Sequence, residues 1–443
     1  MKILRLSLGL ILALLLGVLI WLAVAPPAMI RVATAYTAKI VCSNHFIAAR
    51  DPAEVLAVDV QAPGHPILGF ISIDVDDSAG RVDARLLGLF GRGTALHRSG
   101  HGCAVAPDGN VAALAANAPA TEPAPLAIDP VPAIQNLLGD ESLTGPGMRA
   151  VLVLKDKQVI GKTYADGFDA GTPLLGWSMT KTVTAALIGT LVKDGALSLD
   201  QSVADAAPNA FGHWASDARA AITVADLMGM ASDLRWNEGY GTVSDVTRML
   251  YLEADMAAFA ASSPLDAPDG ADVGQVFNYS SGTTVLLSRL AQELLGADEM
   301  QAMRARLFNP LGMASAVVEA DATGTLAGSS YMYATAADWA RFGAFVGGAG
   351  QGIVPAGFTE WMRAPHPASD GAYGRGQTWM RPPGPARDIA LPDDAVWLSG
   401  HDGQSVGVFP SDQLVIVRFG LTPSSLGYSP AALSRAVLDA LDG

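Results

Sequence analysis

Leu6 to Ile30 carries no charged residue and follows a positive start at Lys2 and Arg5. An apolar run of that length crosses about 30 Å of hydrocarbon as a helix. Two readings follow: an uncleaved single-span anchor, or a signal segment cut after the small residues Ala23-Val24-Ala25. Pro26 directly after such a cut favours the anchor. With Lys2 and Arg5 inside, the remainder of the chain lies on the outer side of an inner membrane, facing the periplasm. If the segment is cut, the remainder is released there.

Beyond the span, shorter patterns alternate with turn signals. Val55 to Val60 and Ile67 to Val75 read as short strands, and Leu86-Leu87-Gly88-Leu89-Phe90 as a further apolar run. Ala115 to Pro132, rich in alanine and proline, reads as a linker. From Met148 the pattern tightens. Arg149 to Leu154 predicts a strand, Lys155-Asp156-Lys157 a turn, and Gln158 to Tyr164 the returning strand. An apolar helix then runs to Lys193 and stops at Gly195, and a mainly helical stretch continues to about Asp338. Ala395 to Gly400, Ser405 to Phe409 and Leu414 to Phe419 form three more apolar segments, and a last helix spans about Pro430 to Leu441. Strands at both ends with helices between predict an α+β fold. Its antiparallel sheet is built from both ends of the domain, flanked by helices, with an all-helical insert. The expected organisation is a membrane segment (1–30), an accessory region (31–128) and one large domain (129–443).

Composition narrows the function. Half of the 443 residues are hydrophobic, so the chain can bury a large core. A formal net charge of −15 argues against nucleic acid, because nothing would neutralise phosphates. The chain has two cysteines, Cys42 and Cys103, both beyond the apolar run. In an oxidising compartment such a pair forms a disulfide, contributing about 4 kcal/mol by restricting the unfolded chain. A metal pair or a reactive thiol is the rival reading; His101 is two residues from Cys103, but nothing near either cysteine resembles a ligand cluster. No spaced His/Asp/Glu cluster suggests a metal, and no cofactor is expected.

Candidate chemistry begins at Gly176-Trp177-Ser178-Met179-Thr180-Lys181, the chain's single Ser-x-x-Lys. Ser178 and Lys181 share one face of a helix. A serine hydroxyl needs a neighbouring base, and a lysine serves when burial lowers its pKa. The uncharged stretch Thr182 to Ile188 predicts that burial. Alone, the tetrapeptide reads as a helix-start serine beside a solvated lysine. Phe277-Asn278-Tyr279-Ser280-Ser281-Gly282 precedes a second apolar helix; Tyr279 could exchange a proton near a lysine, while Ser280 or Ser281 could simply cap the helix. Gly400-His401-Asp402-Gly403-Gln404 lies between two late strands, where a backbone N–H could face a carbonyl oxygen or the residues could form a plain turn.

Together the three motifs resemble the serine hydrolases of the penicillin-binding and class C β-lactamase superfamily, over roughly Asp129 to Gly443. The resemblance implies a β-lactamase/transpeptidase-like fold and an acyl-enzyme on Ser178, with Lys181 as proton acceptor and Tyr279 as acid–base partner. It implies an oxyanion hole from the N–H groups of Ser178 and Gln404, with Ser281, His401 and Gly403 at the remaining motif positions. The departures are informative. Tyr279-Ser280-Ser281 and His401-Asp402-Gly403 stand where Tyr-x-Asn and Lys-Thr-Gly are usual, and no lysine follows Lys193. The pattern is closer to the esterase and 6-aminohexanoate-dimer hydrolase branch, whose members cut esters or linear amides. In that branch Arg235-Trp236-Asn237-Glu238 borders the cleft, and Trp236, Tyr240 and Trp397 are pocket candidates, or core. The expected partners are a small ester or amide and the membrane. A D-amino-acid peptidase, a β-lactamase, and a non-catalytic binding or sensor protein are the alternatives; the oligomeric state is open.

Overall fold

Two prolines divide the apolar run. In the computed structural model, which describes residues 2–114, 124–296, 299–349, 352–385 and 388–442, helix α1 spans Lys2–Val24 and helix α2 restarts at Ala28–Ala48. Pro26 and Pro27 stop the first helix because proline removes an N–H and clashes with the preceding turn. Arg5–Val24 has mean hydropathy 2.7 and fits a signal anchor or a signal peptide. Most of α2, by contrast, is buried. Its Thr34 and Thr37 hydroxyls donate back to Ile30 O (3.0 Å) and Ala33 O (2.8 Å), so neither is stranded.

α2 lies across a four-stranded antiparallel sheet of β1 (Ile71–Asp76), β2 (Arg81–Leu86), β3 (Phe90–Arg98) and β4 (Gly102–Val105). Gly93 permits that approach: a Cβ there would lie 2.3 Å from Ala35 N. The disulfide Cys42–Cys103 joins α2 to β4 across a Cα separation of 6.1 Å, as an exported protein would have it.

Two expectations for this region need correction. Val55 to Val60 is helical, not a strand, running through Pro52–Val55 and Leu56–Gln61. The Asp51-Pro52 start decides it, with Asp51 accepting from Glu54 N at 2.8 Å; this cap signal outweighs the β-branched valines. Pro66–Phe70 is a 3-10 turn, so the strand begins only at Ile71. Leu87 to Leu89 makes the β2–β3 turn, with Leu87 and Leu89 exposed. Of the expected linker, residues 115–123 lie outside the described residues. Ala127–Ile128 forms strand β5, and Pro132–Leu137 is a short helix.

The main sheet has six strands in the order β11-β12-β13-β6-β7-β5. β6 (Met148–Lys155) and β7 (Gln158–Tyr164) form the early hairpin, turning at Asp156 (φ 50°) and Lys157 (φ 67°). β11 (Val396–Ser399), β12 (Ser405–Phe409) and β13 (Leu414–Gly420) come from the other end. β13 and β6 form the seam, pairing Ile416 with Val153. All pairs are antiparallel except β5 with β7. The insert is helical apart from a small sheet of β8 (Leu174–Leu175), β9 (Val317–Val318) and β10 (Met332–Ala334). Its main helices are α3 (Thr180–Lys193) and α4 (Ser281–Leu295).

Alternation on β6 builds two cores. Ala150, Leu152 and Leu154 face the insert and helix α5 (Ala336–Ala344), while Val151 and Val153 face helix α6 (Ala431–Asp442). Trp397 belongs to the second layer, edge-on to Phe409 at 5.8 Å. It is therefore core on the sheet face opposite Ser178, not a pocket wall. The first layer continues without a break into α2 and β1–β4.

Polar contacts reinforce this junction. Lys39 Nζ pairs with Glu319 at 2.5 Å, both buried, and Ser43 Oγ and Cys103 N also donate to Glu319 (2.9 and 2.5 Å). Asp59 is held between Arg50 (2.8 Å) and Arg149 of β6 (2.6 Å). Lys39→Met should cost about 3–5 kcal/mol, since it leaves a buried carboxylate unpaired. Adding Glu319→Gln should recover most of that loss. Urea unfolding of the two variants checks this.

Candidate active site

The turn that presents Ser178 is clamped from three sides. Gly176 N donates to Met332 O of β10 (2.9 Å). Thr180 Oγ1 donates to Trp177 O (2.7 Å) and accepts from Met332 N (3.2 Å). Gly400 closes the third side: a Cβ there would lie 2.3 Å from Gly176 O, so only glycine lets the late turn reach the serine turn. Trp177 has φ 49°, an uncommon backbone for a large side chain and a local strain beside the serine. Trp177 and Met179 are buried, whereas Ser178 is partly exposed.

Lys181 lies one turn along α3 and is fully buried. Its Nζ donates to Ser178 Oγ (3.1 Å), Ser281 Oγ (2.9 Å) and Ser329 O (3.0 Å). It sits 4.9 Å from the Tyr279 ring centroid. Burial lowers its pKa to about 8, against an upward pull from Glu238. Tyr279 goes the other way. Burial and then Glu238 raise the phenol well above its usual range, with an opposing interaction from Ser178. Near neutral pH the tyrosine therefore holds its proton while the lysine is close to giving one up.

Glu238 is the residue that the motifs did not single out. Its carboxylate accepts from Ser281 Oγ (2.5 Å), Ser281 N (2.8 Å) and Trp236 Nε1 (2.7 Å). It reaches Lys181 through Ser281, not directly. Ser280, meanwhile, caps α4 by accepting from Thr283 N at 3.0 Å, leaving Ser281 to the lysine. Trp236 is buried against Gly282 and supports the carboxylate.

His401-Asp402-Gly403 forms a 3-10 turn between β11 and β12. Gln404 braces it from inside: its Nε2 donates to the carbonyls of His401 (3.0 Å), Asp402 (3.1 Å) and Gly420 (2.5 Å). Buried Arg418 adds a bond from its guanidinium to Gly403 O (3.0 Å). The His401 ring stacks on Tyr240 (centroids 5.0 Å) and meets Trp177 edge-on (5.5 Å). Tyr279 packs on Trp379 (5.2 Å), an aromatic absent from the sequence expectation. The site thus gathers Ser178, Lys181, Tyr279, Ser281 and Glu238, with Tyr240 and the His401–Gln404 turn alongside. No cluster among the described residues could hold a metal ion.

The beta-lactamase family profile matches residues 140–431, and the chain belongs to that family. Penicillin-binding protein 4 of Amycolatopsis lactamdurans is 32% identical over 148 residues, 31% of this chain and 33% of that protein. The chain thus matches only about a third of that relative's length. A Bacillus anthracis protein described as a 6-aminohexanoate-dimer hydrolase superposes with TM-score 0.55 at 20% identity, covering 75% of this chain and 87% of the other. A penicillin-binding protein from Bacillus halodurans gives 0.52 at 17%, covering 70% and 99%. A family VIII carboxylesterase gives 0.52 at 14%, covering 70% and 98%. At such identities the likeness is one of fold.

Glu238→Gln removes the charge that raises the Lys181 pKa and leaves its burial in place. The ammonium should then titrate below about 8. NMR titration of the Lys181 side chain checks the direction.

Proposed function

We propose that the protein is a serine hydrolase that cleaves an ester or a linear amide through an acyl-enzyme on Ser178. The observation that carries this reading is the buried Lys181 amine, 3.1 Å from Ser178 Oγ and poised to titrate at about 8. Neutral Lys181 takes the hydroxyl proton as Ser178 Oγ attacks the carbonyl carbon. Negative charge then develops on the carbonyl oxygen, towards the N–H groups of Ser178 and Gln404. Tyr279, still protonated, gives its proton to the leaving oxygen or nitrogen and is reprotonated from Lys181. Water then attacks the acyl ester, losing a proton to the same pair as Ser178 regains its own.

Substrate charge separates the readings within the family. The apolar cavity beside Trp177 and His401 has no lysine or arginine among its lining residues. His401, stacked on Tyr240 and edge-on to Trp177, takes the position where a lysine would meet a carboxylate. Both features, with Asp402 also in the lining, support an ester or amide that carries no carboxylate. The similarity to a penicillin-binding protein keeps D-amino-acid peptidase or β-lactamase action as the second reading. The apolar helix, the basic start and the disulfide support an inner-membrane anchor with the site on the periplasmic side.

A fluorophosphonate should give a single adduct, lost in Ser178→Ala. Turnover of a short p-nitrophenyl ester should fall by about 10²–10⁴ in Lys181→Ala and Tyr279→Phe. Because the free amine is the base, kcat/KM should rise with pH and level off above about 8. No adduct between about pH 6 and 9 would sink the enzyme reading. Ring opening of a chromogenic cephalosporin faster than ester cleavage would favour the second one.

A further inference from the structure

A cavity of about 300 Å³ lies between the start of α2 and the aromatic wall of the site. Met29, Val32, Ala33, Ile67 and Leu68 line its outer part, and Trp177, Tyr240 and His401 line its inner end. Trp177 directly precedes Ser178, so the inner end adjoins the nucleophile's turn.

The outer part adjoins the end of the membrane helix. α1 ends at Val24, and Met29 lies in the first turn of α2. A Cβ built on Gly91 would lie 2.5 Å from Ile30 Cγ2 and 3.5 Å from Pro26 Cβ, which places the β2–β3 hairpin at the same junction. The tip of that hairpin carries Leu87 and Leu89, 61% and 73% exposed, and Leu87 N donates to the carbonyl of Phe70, itself 61% exposed. Large apolar side chains grouped on a surface beside a membrane helix suit a face that rests in the lipid interface. Phe70 is the last residue of the turn whose Ile67 and Leu68 line the cavity.

We propose that this cavity takes the hydrocarbon chain of an ester or amide substrate drawn from the membrane, delivering its carbonyl to Ser178. The proposal rests on the hydrolase reading above and adds the substrate class. Its outer lining of Met29, Val32, Ala33, Ile67 and Leu68 matches a methylene chain, and a lining that holds Asp402 but no lysine or arginine disfavours an anionic one. The flanking Phe70, Leu87 and Leu89 would hold the entrance at the depth where such chains begin.

The test uses the full chain in phosphatidylcholine–phosphatidylglycerol vesicles with two series of chromogenic or fluorogenic esters. One lengthens the acyl chain and the other the alcohol chain. The expected result is a rise in kcat/KM of about two- to fourfold per methylene in at least one series, ending where the cavity is full. Thr242→Trp, from the exposed rim, should lower the long-to-short ratio by about tenfold. Ile67→Trp, from the opposite wall, provides the same readout if the first variant folds poorly. A flat chain-length profile in both series, or an unchanged ratio in a folded variant, overturns the proposal while leaving the hydrolase reading intact. Absence of both ester turnover and Ser178 labelling overturns the hydrolase reading itself, and the substrate proposal with it.

Discussion

The site depends on an ammonium that is shut away from solvent and has no carboxylate in contact. Lys181 is fully enclosed, and its hydrogen bonds go to two serine hydroxyls and one backbone carbonyl. Neutral oxygens of this kind compensate desolvation only in part, so the charged form is disfavoured without being abolished. Those three oxygens come from the Ser178 turn, the start of α4 and the segment before β10. The helical insert must therefore assemble before the lysine acquires its shifted titration. Glu238 moderates the effect from one residue away, through Ser281.

How much of this could be read in advance follows from sequence distance. Ser178 and Lys181 were legible because helical spacing alone makes them neighbours. Tyr279 and the His401–Gln404 turn were legible only in combination, since each by itself is an ordinary cap or turn. Glu238 was legible only as part of the Arg235–Glu238 stretch at the cleft border: it meets Ser281 across 43 residues, and no periodicity reports such a contact. The sheet was legible from alternation on β6 and β7, which also distributes the two cores. Trp397 stood open between pocket and core, because alternation on β11 does not say which face of a sheet looks toward a site. Val55 to Val60 misled because β-branched composition competed with a helix start, and the start won.

The accessory region carries more of the structure than its sequence suggested. α2 contains threonines, a lysine and an asparagine, yet lies buried between two bodies of apolar side chains. Its polar groups are accommodated by bonds along the helix and by Glu319. Removing one member of that network exposes the rest to the cost of an unmatched buried charge. The region also supplies one wall of the cavity beside the site.

The seam between β6 and β13 has a consequence for the order in which the protein is made. The first hundred or so residues, including both cysteines, can find their partners early, because β1–β4 and α2 pair locally. β6 cannot complete its pairing until Leu414–Gly420 has been synthesised and has reached the same compartment. Contacts between such distant segments carry a large loop-closure cost and form late. For most of its synthesis the chain therefore holds a hydrophobic strand with one open edge, and the final stretch of translation closes it.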